Sequence, residues 1–378
     1  MSVMQKIVVA GAASVPGLNS IHDAFLSLDI DAQFVEAPFM KNYLTNYDKQ
    51  ISFTNSIPSN TVVVPLTEYW ISYCIQTKSC RISDKALLSS RSKKYFYDLL
   101  NNAGINSVRY FDKAEAQKIL SSGKSIVVKP EGLNSGLGIE VVAPQNKDLL
   151  DEYIRQAIQI KTKNLKLMSI KNNGYMLTEY IAGDEFSADC FCYAGRISIV
   201  RVCRKKIVLI NNKPCTLVYQ VIKPTQRIEQ AITSWIKVVF DSDTISFAQF
   251  DFIISEPSNC IVPIDFACRI GGGLYELMSQ AESNPYADAI RGQCHLYDRG
   301  YILTQLNYLP IKKGYIHNEA YNLAPGYQVV FKHKGDYVTS LPSSIGSRIA
   351  LVIQKNPTEY LPADLAKTLL VDERWIGE

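Results

Sequence analysis

Asp251 and Asp265 are the residues of this sequence whose type and spacing point most directly to chemistry. They sit in ISFAQFDFIISEPSNCIVPIDFACRIGGG, residues 245–273. Phe247–Ile254 and Ile261–Arg269 are rich in β-branched and aromatic residues, and SEPSN between them is turn chemistry, so the stretch predicts a β-hairpin. A turn centred near Ser258 sets the aspartates opposite each other, each seven residues from the centre. Period two then puts Asp265, Ala267 and Arg269 on one face and Ile264, Phe266 and Cys268 on the other. Carboxylates facing each other across a ladder are about 5 Å apart and repel, which calls for a cation between them. A hard divalent ion such as Mg²⁺ suits such a pair, completing its shell with water and phosphate oxygens. The competing reading has one Asp facing solvent and the other capping the strand end, and spacing alone leaves both open.

The elements that must position this hairpin follow from hydrophobic periodicity. Lys6–Ala10 reads as a buried parallel strand, followed by a helix through Ile21, Ala24, Phe25 and Leu28 and by strands at Asp31–Val35 and Thr61–Leu66. Gly11 and Gly17 do not fit the GxGxxG spacing, so no dinucleotide site is read there. Glu68 follows a strand end, where open α/β sheets bind ligands, although a carboxylate opening a helix explains it equally. Ser92–Ala103 predicts a helix with Tyr95, Phe96, Leu99 and Leu100 as its apolar face, stopped by Gly104. Lys93 and Lys94 at its start oppose the helix dipole, which suggests an anion nearby. Lys129 ends a strand and leads through EGLNSGLG into a return strand at Ile139–Val142, a hairpin flap rather than a P-loop, since GxxxxGK[ST] is absent. Gly132, Gly136 and Gly138 would let its backbone approach phosphates, or it is simply a mobile surface hairpin.

Further along, Leu149–Ile158 predicts a helix, 161–171 a basic linker, and Tyr175–Ile181 a strand continuing past Gly183 into Glu185. A hairpin turns at Gly195, with Arg196–Val202 returning, and a second pairs Lys206–Ile210 with Thr216–Ile222. A helix through Ile228, Ile232, Trp235 and Val239 precedes the aspartate hairpin, and another follows from Leu274 through Met278. The last eighty residues read as a small β-rich appendage.

Composition narrows the class. The chain has 378 residues, 47% hydrophobic and 20% charged, which suits two or three globular domains. A net charge of +4 without a long Lys/Arg run argues against nucleic acid and is compatible with a small anionic ligand. Nine cysteines at irregular spacings, without a CxxC pair, make neither a disulfide framework nor a zinc site, and Cys190 and Cys192 read as core. The apolar run near the N-terminus is too short to span a membrane, so a cytoplasmic protein is expected.

The order of these features, from helix-opening lysine and strand-end lysine through a glycine flap and an acidic hinge strand to an antiparallel pair with two carboxylates and an arginine, resembles the ATP-grasp superfamily over roughly residues 90–275. The resemblance implies an α/β and α+β multidomain chain, with an N-terminal Rossmann-like βαβ domain and an antiparallel C-terminal sheet. It divides into 1–90, a central and lid part 91–183, a part with the metal strands 184–300, and the appendage 301–378. It implies Lys93, with Lys94 as the alternative, and Lys129 as phosphate lysines. Ser135, Gly136 and Gly138 fall in the closing flap, and Glu179, Tyr180 and Ile181 in the hinge whose backbone reads adenine. Glu185 matches the ribose acid, Asp251 and Asp265 the metal carboxylates, Arg269 the signature arginine, and Arg201 a further catalytic cation facing phosphate or substrate carboxylate.

Two departures stand out. Asp265 replaces the usual Glu, and Ala267 the usual Asn. A small residue two before the arginine, and the Arg269-Ile-Gly-Gly-Gly run, resemble the branch that ligates L-amino acids. The implied activity is MgATP-dependent, with Mn²⁺ as a substitute metal: a substrate carboxylate becomes an acyl phosphate that an amine attacks. Its partners are small carboxylates and amines, and a homodimer is compatible with the family. The same residues also suit a nucleotide-binding protein that has lost its chemistry, or a ligase with a non-amino-acid acceptor.

Overall fold

The computed structural model describes residues 5–42, 49–59, 61–78, 82–133, 136–164, 174–210, 212–317, 323–338, 348–356, 364–371 and 375–377. The N-terminal part follows the βαβ expectation. Strand β1 (Gln5–Ala10), helix α1 (Leu18–Leu26), β2 (Ile30–Glu36), β3 (Ser52–Phe53) and β4 (Val62–Pro65) give a parallel sheet in the order β3-β2-β1-β4. Ile7–Ala10 of β1 and the whole of β4 are continuous buried apolar runs, as strands covered on both faces are, whereas β2 carries polar residues at Asp31 and Gln33. Helix α1 ends at Leu26 rather than reaching Leu28, the chain turning out through Asp29 at φ 59°.

Three helices lead to the centre: α2 (Glu68–Thr77), α3 (Asp84–Arg91) and α4 (Lys93–Asn102). Ser92 caps α4, its Oγ accepting from Tyr95 N at 3.2 Å. The buried face of α4 carries Lys93, Phe96, Tyr97 and Leu100, so Tyr97 takes the place expected of Tyr95. The Tyr97 hydroxyl escapes the burial penalty by donating to Ile264 O at 2.7 Å, which ties α4 to the aspartate hairpin.

The second sheet has the order β5-β8-β6-β7 and consists of β5 (Tyr110–Phe111), β6 (Ile126–Pro130), β7 (Glu140–Val142) and β8 (Tyr175–Glu179). Helices α5 (Lys113–Ser121) and α6 (Leu150–Asn164) pack on it. Helix α6 runs on into the start of the segment read as a linker.

The third sheet holds the hairpin. It begins with β9 (Gly183–Tyr193), β10 (Arg196–Ile210), β11 (Lys213–Val221), helix α7 (Gln226–Val239), β12 (Ile245–Ser255) and β13 (Ile261–Ala267). Short helices α8 (Tyr275–Ser279) and α9 (Pro285–Arg291) follow. Then come β14 (Ile302–Pro310), β15 (Gly314–Ile316), β16 (Tyr327–Val330), β17 (Tyr337–Val338), β18 (Ala350–Asn356), α10 (Leu365–Leu369), β19 (Leu370–Val371) and β20 (Ile376–Gly377). The order is β13-β12-β9-β10-β11-β14-β18-β16, with β19 pairing β14, so strands from the C-terminal segment extend the sheet that carries the aspartates. The two strands expected at Arg196–Val202 and Lys206–Ile210 are one, β10, with a bulge between Lys206 and Ile207 where its pairing to β11 shifts.

The hairpin is anchored from behind. Phe250, Phe252, Phe266 and Cys268 are buried in a core with Phe96 and Trp235, and the rings of Phe250 and Phe266 lie 4.9 Å apart. Burying each such ring contributes about 1.5–3 kcal/mol, which fixes the register, since a one-residue slip would turn the aromatic face outward.

Candidate functional site

One cavity runs over the third sheet and under the second, lined among the described residues by six cationic and four acidic side chains. At its centre Asp251 and Asp265 are direct ladder partners, as expected, but the opposition is completed by a bulge between Asp251 and Phe252, since the strands nearer the turn pair one residue away from the register centred on Ser258. Their side chains are 23% and 30% exposed, open to the cavity rather than to bulk solvent. No third His, Cys, Asp or Glu joins them into a cluster among the described residues.

Each aspartate meets a lysine. Lys93, buried at the start of α4, pairs with Asp265. Its neighbour Lys94 is exposed and lies over the Tyr110 ring, which decides between the two in favour of Lys93 as the cavity lysine. Lys205 on β10 bridges Asp251 at 2.8 Å and Glu185 at 2.7 Å. Burial works against its charge and the two carboxylates outweigh burial, so its pKa is raised. Burial pushes the Glu185 carboxyl up against the pull of Lys205. Lys129 donates to the Tyr97 hydroxyl at 3.3 Å, and burial, with Lys93 adding repulsion, pushes its pKa down to about 8. It is therefore a charged but poorly neutralised ammonium at pH 7, suited to an arriving anion.

Two arginines are held in place by other groups. Arg269 Nε donates to Glu68 Oε1 at 2.8 Å, and Arg91 reaches Glu68 Oε2 at 2.9 Å. Glu68 thus opens α2, the helix-opening reading of the sequence, and its carboxylate is taken up by Arg269 and Arg91. Arg201 lines the cavity wall, but its side chain is 1% exposed and pairs with fully buried Asp189 at 2.9 Å, Ser187 accepting a further bond at 2.9 Å. Burial disfavours the Arg201 charge and Asp189 more than compensates, so it stays protonated. Gly271 N donates to Asp189 Oδ1 at 2.8 Å. A Cβ at Gly271 would meet the Arg201 guanidinium and approach Asp189 Oδ1 to 3.0 Å, which is why the chain can cross here only as glycine.

The hinge and flap border the same cavity. Glu179, Tyr180, Ile181 and Gly136 line it, and the Glu179 carboxylate is turned to Arg109 N at 2.8 Å. Gly138 adopts φ 73°, and a Cβ there would come within 2.7 Å of Pro130. Ser135 lies outside the described residues.

No protein-family model matches the sequence, and no curated protein sequence matches it. Solved structures do. An L-amino acid ligase from Bacillus licheniformis superposes with TM-score 0.65 at 13% identity, over 95% of each chain. N5-carboxyaminoimidazole synthase from Aspergillus clavatus, complexed with ADP and 5-aminoimidazole ribonucleotide, gives 0.58 at 12% identity over 95% of each. The biotin carboxylase domain of the Hydrogenobacter thermophilus 2-oxoglutarate carboxylase, complexed with MgADP and bicarbonate, gives 0.57 at 14% identity over 94% of this chain and 87% of that one. The chain has the ATP-grasp fold.

Within this ATP-grasp fold, sequence reasoning missed Lys205, Asp189 and Gln249. Gln249 pairs across the ladder with Ala267 and donates to Asp251 Oδ1 at 2.7 Å, so an amide borders the aspartate pair. A signal for the other two existed: Glu185, Ser187 and Asp189 alternate on β9 as Arg201, Cys203 and Lys205 do on β10. Acids on one strand and bases on the next, at period two, describe a charged ladder.

Proposed function

We propose that this chain is an ATP-dependent ligase that converts a substrate carboxylate to an acyl phosphate and couples it to an amine, with amino acids or peptides as substrates. The observation that carries this reading is the in-register Asp251–Asp265 pair beside Lys93, Lys129 and Lys205 in one cavity. In the balanced reaction a carboxylate oxygen attacks the γ-phosphorus, its bond to the β–γ bridging oxygen breaks, and ADP leaves. The amine nitrogen then attacks the acyl carbon, the carbon–oxygen bond to phosphate breaks, and the amine proton leaves with phosphate.

Two opposed carboxylates reached from one cavity fit a hard divalent ion such as Mg²⁺, with phosphate and water filling the rest of its shell. Asp251 and Asp265 would hold it, and when bound it neutralises charge on the transferring phosphoryl group. Lys205 and Lys93 can swing from the aspartates to phosphate oxygens, since an ammonium on a four-carbon stem is a mobile point charge. Lys129 supplies a third charge. The Glu179–Ile181 backbone borders the adenine position, Glu185 takes the ribose hydroxyls, and Gly136 and Gly138 belong to a flap that excludes water. Arg269 balances charge at the reacting groups. Arg201 works through Asp189, holding the Gly271 backbone. With parts divided at 90, 183 and 300, which we propose along with the activity, these residues come from 91–183 and 184–300. Cytoplasmic residence accords with free thiols at the eight described cysteines, and no helix among the described residues is long and apolar enough to cross a membrane.

The test is ADP release over a panel of amino acids, with mass spectrometry of the products. Amino-acid-dependent ADP release with a product lighter than its two substrates by one water is expected. Tight ATP binding without substrate-dependent turnover would overturn the ligase reading in favour of a nucleotide-binding protein, for which Ala267 is the relevant departure.

A further inference from the structure

The bulge that brings the aspartates into register leaves one residue outside the ladder. Asp265 pairs with Asp251 and Pro263 with Phe252, so Ile264 between them has no partner on β12. Its carbonyl accepts instead from the hydroxyl of Tyr97 on α4, at 2.7 Å. Tyr97 is fully buried, and burial, with Asp265 adding repulsion, pushes its phenol well above the usual range, so the oxygen keeps its proton. That one proton points at Ile264 O, and the rest of the oxygen offers only lone pairs.

Those lone pairs face Lys129. Its Nζ, carried on β6 of the second sheet, donates to the Tyr97 hydroxyl at 3.3 Å and lies 5.8 Å from the centroid of the same ring. Lys93 and Lys205 are oriented by carboxylates, which compete with an arriving anion, whereas the group that orients Lys129 is neutral. Burial disfavours the Lys129 charge, Lys93 on α4 adds repulsion, and Asp265 on β13, Glu185 on β9 and Glu179 on β8 act the other way through space. An ammonium has three donors on a flexible stem, and holding one of them on a buried, singly oriented oxygen fixes where the other two point. A side chain ordered before its ligand arrives binds it more tightly, because the rotamer freedom is already lost.

We propose that Tyr97 is the positioning residue for Lys129: its hydroxyl, set by the bulge at Ile264, aims the ammonium at the nucleotide phosphates. This rests on the nucleotide-binding part of the proposed function, and it adds a residue that acts through Lys129. One oxygen then aligns the lysine of the second sheet with the aspartate hairpin of the third.

The experiment reads binding, so that it does not depend on turnover. The full chain with Mg²⁺ is titrated by calorimetry with a non-hydrolysable ATP analogue, as wild type, Tyr97→Phe, Lys129→Met and the double variant. Tyr97→Phe is expected to weaken binding by about five-fold or more when Lys129 is present and by less than about two-fold in the Lys129→Met background. The second readout is pH. Wild-type affinity should fall as Lys129 in the free protein loses its proton near its pKa of about 8. An acceptor favours the charged form, so in Tyr97→Phe the fall should move to lower pH. A tyrosine that only ties α4 to β13 would cost the same factor in both backgrounds and leave the pH of the fall where it was, and either result overturns the proposal. Wild-type affinity in Tyr97→Phe overturns it as well. Should Tyr97→Phe fail to fold, Tyr97→p-aminophenylalanine keeps a donor for Ile264 O and is a poorer acceptor; it must show the same dependence on Lys129, and equal factors in the two backgrounds count against the proposal. No binding of the analogue by wild type would overturn the proposal together with the nucleotide reading. Lys129-dependent loss in Tyr97→Phe without amino-acid-dependent ADP release would refute the ligase reading and leave the role of Tyr97 standing.

Discussion

Asp251 and Asp265 face each other across β12 and β13, and Asp189 and Arg201 face each other across the adjacent strands β9 and β10. Both are acid-bearing rungs of one sheet, yet they differ in access and in the type of cation. The first pair keeps about a quarter of its surface open to the cavity and is met by lysines. The second is closed, 0% and 1% exposed, and is held by an arginine with Ser187 and the Gly271 backbone. A lysine can leave a carboxylate for a phosphate at little cost, whereas a buried guanidinium fork with fixed partners cannot. On the proposed function, exchangeable charge stands where the nucleotide would arrive, and fixed charge stands where the Gly271 backbone is held.

That contrast can be broken by substitution. Asp251→Asn or Asp265→Asn should lower turnover by about a thousandfold while the unfolding midpoint barely moves, because each carboxylate serves the ligand and not the core. Near-normal rates from both variants would remove the proposed metal site. Asp189→Asn should do the reverse in kind, costing about 3–5 kcal/mol of stability by leaving Arg201 buried without its counter-ion, as measured by chemical denaturation. A wild-type denaturation curve would show that the closed pair is dispensable.

Lys129 sharpens the comparison through pH. Its folded pKa of about 8 lies below the usual lysine value near 10.4, so between those values the unfolded chain binds more protons and wild-type stability rises with pH. Lys129→Met lacks this penalty. Without nucleotide it should be more stable than wild type by about 1–3 kcal/mol below pH 8, the gain fading toward pH 10.4, while its ATP affinity falls. A gain independent of pH would mean the penalty is not ionisation. The smallest effect is expected of exposed Lys94: Lys94→Ala should change ATP affinity less than twofold by calorimetry, and a loss comparable to that of Lys93→Ala would reverse the assignment between them.

Much of the site was legible because its rules are local. The turn chemistry gave the hairpin and a nearly opposed aspartate pair, which a bulge between Asp251 and Phe252 brings into register; the apolar alternation gave the face, and the lysine at the strand end before a glycine flap gave Lys129. Lys205 and Asp189 were not found because pairing shifts across a bulge between Ile199 and Arg201. Counting from the Gly195 turn sets Lys205 against Asp184, and only the extra residue brings it to Glu185 and onto the cavity face. Tyr97 was passed over for Tyr95 because the apolar face was drawn without allowing a buried hydroxyl that finds a carbonyl on a distant strand.

The sequence by itself determined the carboxylate hairpin, two of the three cavity lysines, Lys93 and Lys129, and the ATP-grasp order of elements, since turn chemistry and side-chain period act over a few residues. Only the tertiary structure decided which lysine faces the cavity, that Glu68 at the start of α2 clamps Arg269, and that Arg348 donates to Gly273 O. Those contacts join residues about 70–200 positions apart, and such partners are chosen by packing and bulges that no local pattern encodes.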